Sequence, residues 1–351
     1  MLQSTSTYKT NFLLTSLKKH RNIVLGLLIL GIAGSVAPFG AGKYTIDSVF
    51  DLFLLYVVVA ESYDILGGLM GYVNLGITVY YGAGAYVYAI LYHVLNWNPE
   101  AALAMAALVP AILGFLSSYP MFRLKGFYFA VATLALVPLA FYMVESPNLQ
   151  QWTNGVGGIN FVPVNYISAY YVILGFTIVS IAIIYTISRS RLELALTSIR
   201  EDEDIAEASG INTRLIKRFA LIISATMAGF TGALFAWSQG TVLPGSVFSL
   251  SLAFIPVTFA MFGGTGTVVG PIVGSGVYII LDATLHSSFI TGNSSVQWLS
   301  YYESAIEGVF LLIVGLFAPD GIIGLARRSY MRFSKRRKLE PTQIPKAIEK
   351  R

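Results

Sequence analysis

Residues 166–188 read YISAYYVILGFTIVSIAIIYTIS, 23 consecutive residues without a charge, closed on the C-terminal side by Arg189 and Arg191. A helix of about 20 such residues, rising 1.5 Å each, covers the hydrocarbon core of a bilayer. No charged face interrupts the stretch, so it reads as a membrane span. Working outward, comparable apolar runs lie near 22–39, 46–66, 72–95, 99–119, 126–145, 215–239, 248–262, 268–287 and 302–318, giving about ten in all. The run at 248–262 is short, is bounded by Pro244 and Gly263-Gly264, and contains Pro256, so it reads as a re-entrant or broken segment.

Composition agrees with this reading. Of 351 residues, 55% are hydrophobic and 12% charged, against about 25% charged in soluble domains. The mean hydropathy is +0.68. With no cysteine, the chain has no disulfide framework, thiolate metal site or cysteine nucleophile. The net charge of +5 would suggest nucleic acid in a soluble protein, but its distribution excludes that partner. Ten Lys/Arg against Glu340 and Glu349 fall between Arg327 and Arg351, leaving residues 1–326 net negative.

Cytoplasmic loops retain Lys and Arg. With the N-terminus inside, ten spans place 22 of the 23 basic residues in the cytoplasm and only Lys43 outside. The expected fold is therefore an all-α integral membrane protein with both termini cytoplasmic. It divides into a cytoplasmic segment 1–21, one transmembrane domain 22–326 and a basic tail 327–351, in a cell (plasma) membrane. The run from Ile23 reaches Pro38 and Phe39 without a small-x-small cleavage site, so it is read as the first span.

Enzyme signatures are absent. Gly40-Ala41-Gly42-Lys43 lacks the preceding glycine and following Ser/Thr of a phosphate loop, having Ala37 and Tyr44 instead. Gly82-Ala83-Gly84 lies inside an apolar span rather than after a strand. His20, His93 and His286 are far apart and without carboxylates at ligand spacing, so no metal site is expected.

Small and polar residues are more informative. Gly266, Gly270 and Gly274 recur every four residues, a strip on which a helix can approach closely, and Pro271 interrupts it. Gly82-Ala83-Gly84-Ala85-Tyr86 and Gly274-Ser275-Gly276-Val277-Tyr278 share a short pattern that an internal repeat or chance would produce. Glu61 and Asp64 share a helix face. They either line a solute path or sit near the inner boundary where water reaches them. Asn74, Gly76, Gly264, Gly266, Gly270 and Pro271 complete the set expected along a translocation path of broken, glycine-lined helices.

Segment 189–214 is the one sizeable charged stretch between spans. Leu192, Ala195, Leu196 and Ile199 form the stripe of a short amphipathic helix. Continuing that helix would put Asp202 and Glu203 on the stripe, so a break is expected near Arg200-Glu201. A second helix then runs through Ala206 to a glycine cap at Gly210. The run Glu201-Asp202-Glu203-Asp204 suits a soluble protein partner better than anionic lipid.

Four ordered stretches carry a family resemblance: Gly71-Tyr72-Val73-Asn74-Leu75-Gly76 through Tyr86; Arg123-Leu124-Lys125-Gly126-Phe127-Tyr128 through Ala135; Ala195-Leu196-Thr197-Ser198-Ile199-Arg200-Glu201-Asp202-Glu203 with Ala206 to Ile211; and Gly263-Gly264-Thr265-Gly266 through Pro271. Over about residues 50–325 the chain resembles permease subunits of ABC importers for branched-chain amino acids, of the LivM type. The resemblance implies a coupling segment over residues 195–210 that docks on separate ATPase subunits. It also implies a homologous second permease and an external solute-binding protein. No cofactor is implied for this chain, ATP and Mg being bound by the two ATPase partners. The sequence departs from the family pattern at Glu193-Leu194, where Gly-Arg is usual. Related permeases serve urea or short amides, so that solute class stays open. An ion-coupled transporter working alone, with Glu61 and Asp64 as proton sites, is the reading from a different class.

Overall fold

A computed structural model describes residues 49–163, 165–285, 308–309 and 321–324. The expected spans at 22–39 and 302–318, the segment 1–21 and the tail 327–351 lie outside the described residues or almost wholly so. Among the described residues, six helices are long and apolar enough to cross a membrane, and most of these residues are helical.

Helix α1 (Asp51–Asp64) continues into a π-helical turn, Ile65–Leu69. Helix α2 (Ile77–Ala89) does the same over Ile90–Val94. Each ends in a left-handed residue, Gly71 (φ +77°) and Asn96 (φ +54°). The following N–H then reaches back six residues, Tyr72 to the Leu66 carbonyl at 2.8 Å and Trp97 to Leu91 at 2.9 Å. Long helices follow as α3 (Pro99–Met121), α4 (Phe127–Glu145) and α5 (Tyr166–Ile187). Two short helices, α6 (Arg191–Glu201) and α7 (Glu203–Ala208), lead into α8 (Thr213–Gln239). A single turn at Pro244–Val247 precedes α9 (Leu250–Gly263), and α10 (Gly270–Leu285) closes the described part.

The expected third span, 72–95, is corrected. Residues 71–76 are not helical, and α2 begins only at Ile77. The apolar residues Tyr72, Val73 and Leu75 look like span in the sequence, but Gly71 has already turned the chain. The glycine strip is corrected too. Gly264 (φ +119°) and Gly266 (φ +72°) belong to a loop, and α10 starts at Gly270, so Pro271 occupies the first turn, where its missing N–H costs nothing.

Helix α8 lies at the centre, packed on α1, α2, α3 and α5. Its contact with α2 is backbone to backbone: a Cβ on Gly84 would strike the Gly229 carbonyl, and one on Gly232 the Tyr81 carbonyl. Helices α9 and α10 meet similarly at Gly263 and Gly270, and at Gly274 and the Phe259 carbonyl. At one end an antiparallel pair, β1 (Ile159–Asn160) and β2 (Thr241–Val242), ties two loops, with Ile159 opposite Val242. All eight described Lys and Arg residues gather at the opposite end, from Arg123 to Arg218. Helix α4 leaves Phe127, Tyr128, Leu139 and Tyr142 exposed, an apolar surface that suits hydrocarbon rather than water.

The close approach of α2 and α8 sets a test. Gly84→Ala should cost roughly 1–3 kcal/mol by overpacking, read as a lower thermal midpoint in detergent. Gly175→Ala, where a new methyl meets nothing within 4 Å, should change stability by no more than about 0.5 kcal/mol.

Candidate functional site

Gly67, Gly68 and Gly71 weaken the helix at the basic end of α1. Leaving helical geometry beneath packed side chains strands backbone N–H and C=O groups that then need other partners. Side chains from distant segments supply the partners. Arg200 Nη1 on α6 donates to the Gly68 carbonyl at 2.6 Å. Both carboxylate oxygens of Asp64 accept from the Gly266 N–H, at 2.9 and 3.0 Å. Asn74 Oδ1 accepts from the Gly76 N–H at 3.0 Å, and Thr133 Oγ1 on α4 accepts from the Leu75 N–H at 3.2 Å. Side chains are excluded from the junction itself. A Cβ on Gly68 would strike Asp64 and the Gly266 nitrogen, one on Gly71 would come within 2.9 Å of Arg200, and one on Gly76 within 2.7 Å of the Thr133 carbonyl.

A second contact lies beside this junction. Lys217, only 2% exposed at the start of α8, donates from Nζ to Glu203 Oε1 at 2.5 Å. The Tyr72 hydroxyl donates to Glu203 Oε2 at 2.5 Å. The Lys217 ammonium also lies 5.3 Å from the ring centres of Tyr72 and Phe122, a cation–π arrangement. Burial works to raise the Glu203 pKa, but the hydrogen bonds from Lys217 and Tyr72 outweigh it and hold the carboxyl below the ordinary range. Burial, and then the hydrogen bond to Glu203, push the Tyr72 hydroxyl up.

Helices α6 and α7 separate at Asp202, one residue beyond the expected break. Asp202 adopts extended geometry (φ −160°, ψ 114°), and its carboxylate accepts from the Asp204 and Ile205 N–H groups, as an N-cap does. Leu196, Ile199 and Ala206 are buried with Met70, Tyr72 and Leu221, while Ala195 is half-buried. The second helix ends at Gly210 (φ +87°), with Ile211 N–H bonding the Ala206 carbonyl and Gly210 N–H the Glu207 carbonyl, the Schellman pattern.

The acidic run is divided in its roles. Glu203 turns inward, Asp202 caps α7, and Asp204 lies 2.9 Å from Lys125. That hydrogen bond raises the Lys125 pKa. Glu201, with Glu207 and the apolar Leu194 and Ile205, is exposed.

Of the residues expected along a path, Asp64 and Gly266 converge with Gly68 at the junction, joined there by Arg200 of the expected coupling segment. Asn74 and Gly76 form the turn before α2. Gly264 and Gly270 line the α9–α10 connection, with Pro271 one residue into α10. Glu61 is buried, and neither of its oxygens has a hydrogen-bond partner among the described residues. Within this chain both Glu61 and Asp64 are enclosed by protein rather than exposed at a boundary. Sequence reasoning passed over Gly68, Tyr72 and Lys217 as site members. The signals were present: paired glycines near a span end, and a lysine placed inside an apolar run.

Residues 45–315 match the family model described as branched-chain amino acid transport system / permease component. The chain is similar to the high-affinity branched-chain amino acid transport system permease protein LivM of Escherichia coli (strain K12), with 27% identity over 88% of this chain and 76% of the relative. It is also similar to the permease protein LivH of the same strain, 24% identical over 77% of this chain and 91% of the relative. The permease protein BraD of Pseudomonas aeruginosa is 23% identical over the same shares. No solved structure gives a significant match.

The Glu203 contact predicts a pH dependence. Its folded pKa lies below the unfolded value, so its contribution is present above about pH 4.3 and is lost as pH falls through the lowered value. Lys217→Met should cost roughly 2–4 kcal/mol, because it leaves a mostly buried carboxylate without its counter-charge. Lys217→Met combined with Glu203→Gln should recover part of that loss. Thermal melts of the single and double variants between pH 3 and 7 check both statements.

Proposed function

The chain belongs to the family of branched-chain amino acid transport system permease components, and we propose that it forms part of the translocation path of an ABC importer for branched-chain amino acids, driven by ATPase subunits that dock on α6 and α7. It works as a transport subunit, with ATP and Mg bound by the two ATPase partners. Its similarity to both LivM and LivH of one organism supports assembly with a second, related permease. An external solute-binding protein delivers the solute to the face that carries the β1–β2 pair.

The observation that carries this reading is the two-sidedness of α6 and α7. Their inner side grips the broken segments through Arg200 and Glu203, while Glu201, Glu207, Leu194 and Ile205 face outward. A docked ATPase that moves this pair therefore moves α1, the start of α8 and the 264–269 loop together. The gathering of basic residues at this end supports a cytoplasmic placement, with ten spans and both termini inside. Urea or short-amide transport is not favoured, since the family and the relatives named above are all described as branched-chain amino acid permeases. Nor is an ion-coupled transporter working alone, since the matched family is described as the permease component of a transport system.

The test is uptake in proteoliposomes containing the chain with its partner permease and ATPases. Leucine should accumulate with ATP when binding protein is present, and urea should not. Glu201→Lys, which touches none of the inward contacts, should lower uptake and solute-stimulated ATP hydrolysis on the order of tenfold by reversing a contact charge. Unchanged stimulated hydrolysis would remove α6 from the docking surface.

A further inference from the structure

A largely enclosed cavity of about 100 Å³ lies between α1, α2, α8 and α9. Leu55, Val59, Tyr81, Phe235 and Pro256 supply most of its wall, and none of its lining residues is charged. A closely packed interior rarely keeps such a void, because the lining atoms forgo contacts on one side. A dry apolar cavity of about 150 Å³ takes a six-carbon ring, so this one suits a three- or four-carbon branched group.

Two polar groups at the cavity lack the partners a helix normally gives them. Thr78 is fully buried and its Oγ1 has no hydrogen-bond partner among the described residues. Buried threonines deeper in helices bond back to a carbonyl three or four residues earlier, as Thr177 does to Ile173 and Thr231 to Met227, whereas Thr213, like Thr78 near a helix start, has no hydrogen-bond partner among the described residues. Thr78 sits one residue into α2, where the preceding turn is the non-helical segment 71–76, and so it has no such carbonyl in place. Elsewhere in the lining Pro256 has no N–H to offer the carbonyl of Leu252, four residues back and also part of the lining. A hydroxyl can donate to a carboxylate, and a backbone carbonyl can accept from an ammonium.

Resting on the transport reading above, we propose that this cavity is the subsite for the aliphatic side chain of the transported amino acid, with Thr78 and the Leu252 carbonyl meeting its carboxylate and ammonium ends. An uncharged wall rejects acidic and basic side chains, which would be buried without a partner. The size of the cavity sets the upper limit on the aliphatic branch.

The complete transporter in proteoliposomes tests this. Val59→Leu adds one methylene to the wall and should lower leucine uptake relative to valine by about tenfold, the scale of one methylene in an apolar pocket, through KM rather than kcat. Leu55→Ala should shift preference toward larger side chains and admit phenylalanine. Thr78→Val, which keeps the side-chain shape, should raise KM for leucine and valine alike. Variants are compared only where the complex keeps its wild-type melting temperature, and Thr78→Val decides where the size changes disrupt assembly. Unaltered leucine-to-valine ratios and KM in a wild-type complex that does transport leucine would overturn the subsite and leave the transport reading intact, the cavity then holding lipid or nothing. A wild-type complex that moves no branched-chain amino acid with ATP would overturn the transport reading, and the subsite with it.

Discussion

A chain that leaves helical geometry beneath packed side chains must find a partner for each stranded backbone group, at a cost of about 1–3 kcal/mol for any group left bare. Here α1 leaves the helix at Gly68–Gly71 and α9 leaves it at Gly264, and the two breaks come together at the basic end. Asp64 at the end of the first helix bonds the loop that follows the second, and Arg200 from α6 bonds the carbonyl of Gly68. The breaks therefore stabilise one another through Asp64, while Arg200 from a third element holds the first of them. Neither loop can shift far without stranding a group on the other.

The charged groups at this end are better understood as fixing geometry than as adding stability. Moving Lys217 and Glu203 out of water carries a penalty that their attraction offsets only in part, and an apolar pair of similar size would often do as well. What an apolar pair would lack is direction. Glu203 accepts from Lys217 and Tyr72 at once, so α7, α8 and the segment after α1 are held at one rotation and one height. Arg200 does the same for α6, with its guanidinium directed at one carbonyl.

Most of the apolar runs within the described residues, the α6–α7 break and the gathering of basic residues were legible in the sequence, because each depends on local periodicity or composition. Leu196 and Ile199 face inward as their spacing requires, and Gly210 caps α7 as its position suggests. The start of α2 was hidden, since Tyr72, Val73 and Leu75 are as apolar as a span and only the sign of φ at Gly71 separates loop from helix. The spacing of Gly266, Gly270 and Gly274 imitated a helical strip for the same reason. Positive-charge counting treats every lysine alike, so it could not distinguish Lys217, buried under two aromatic rings, from Lys125 in the open. The inward turn of Glu203 depends on that lysine and was invisible without it.

Helices α1 and α2 form one hairpin around a glycine break, and α9 and α10 form another. The cavity is lined by α1, α2 and α9, with α8 closing it. Its walls thus belong to the same two hairpins whose breaks meet at Asp64 and Gly266. A force applied to α6 passes through Arg200 to the Gly68 carbonyl, and from the adjacent turn of α1 through Asp64 to the second hairpin. Because closely packed helices shift as bodies rather than deform, separation of the hairpins at the basic end changes their spacing at the cavity as well. The arrangement links the height of a short surface helix to the width of a pocket built for an aliphatic side chain. That link runs through two charged side chains, Arg200 and Asp64, set at glycine breaks that share their hydrogen bonds.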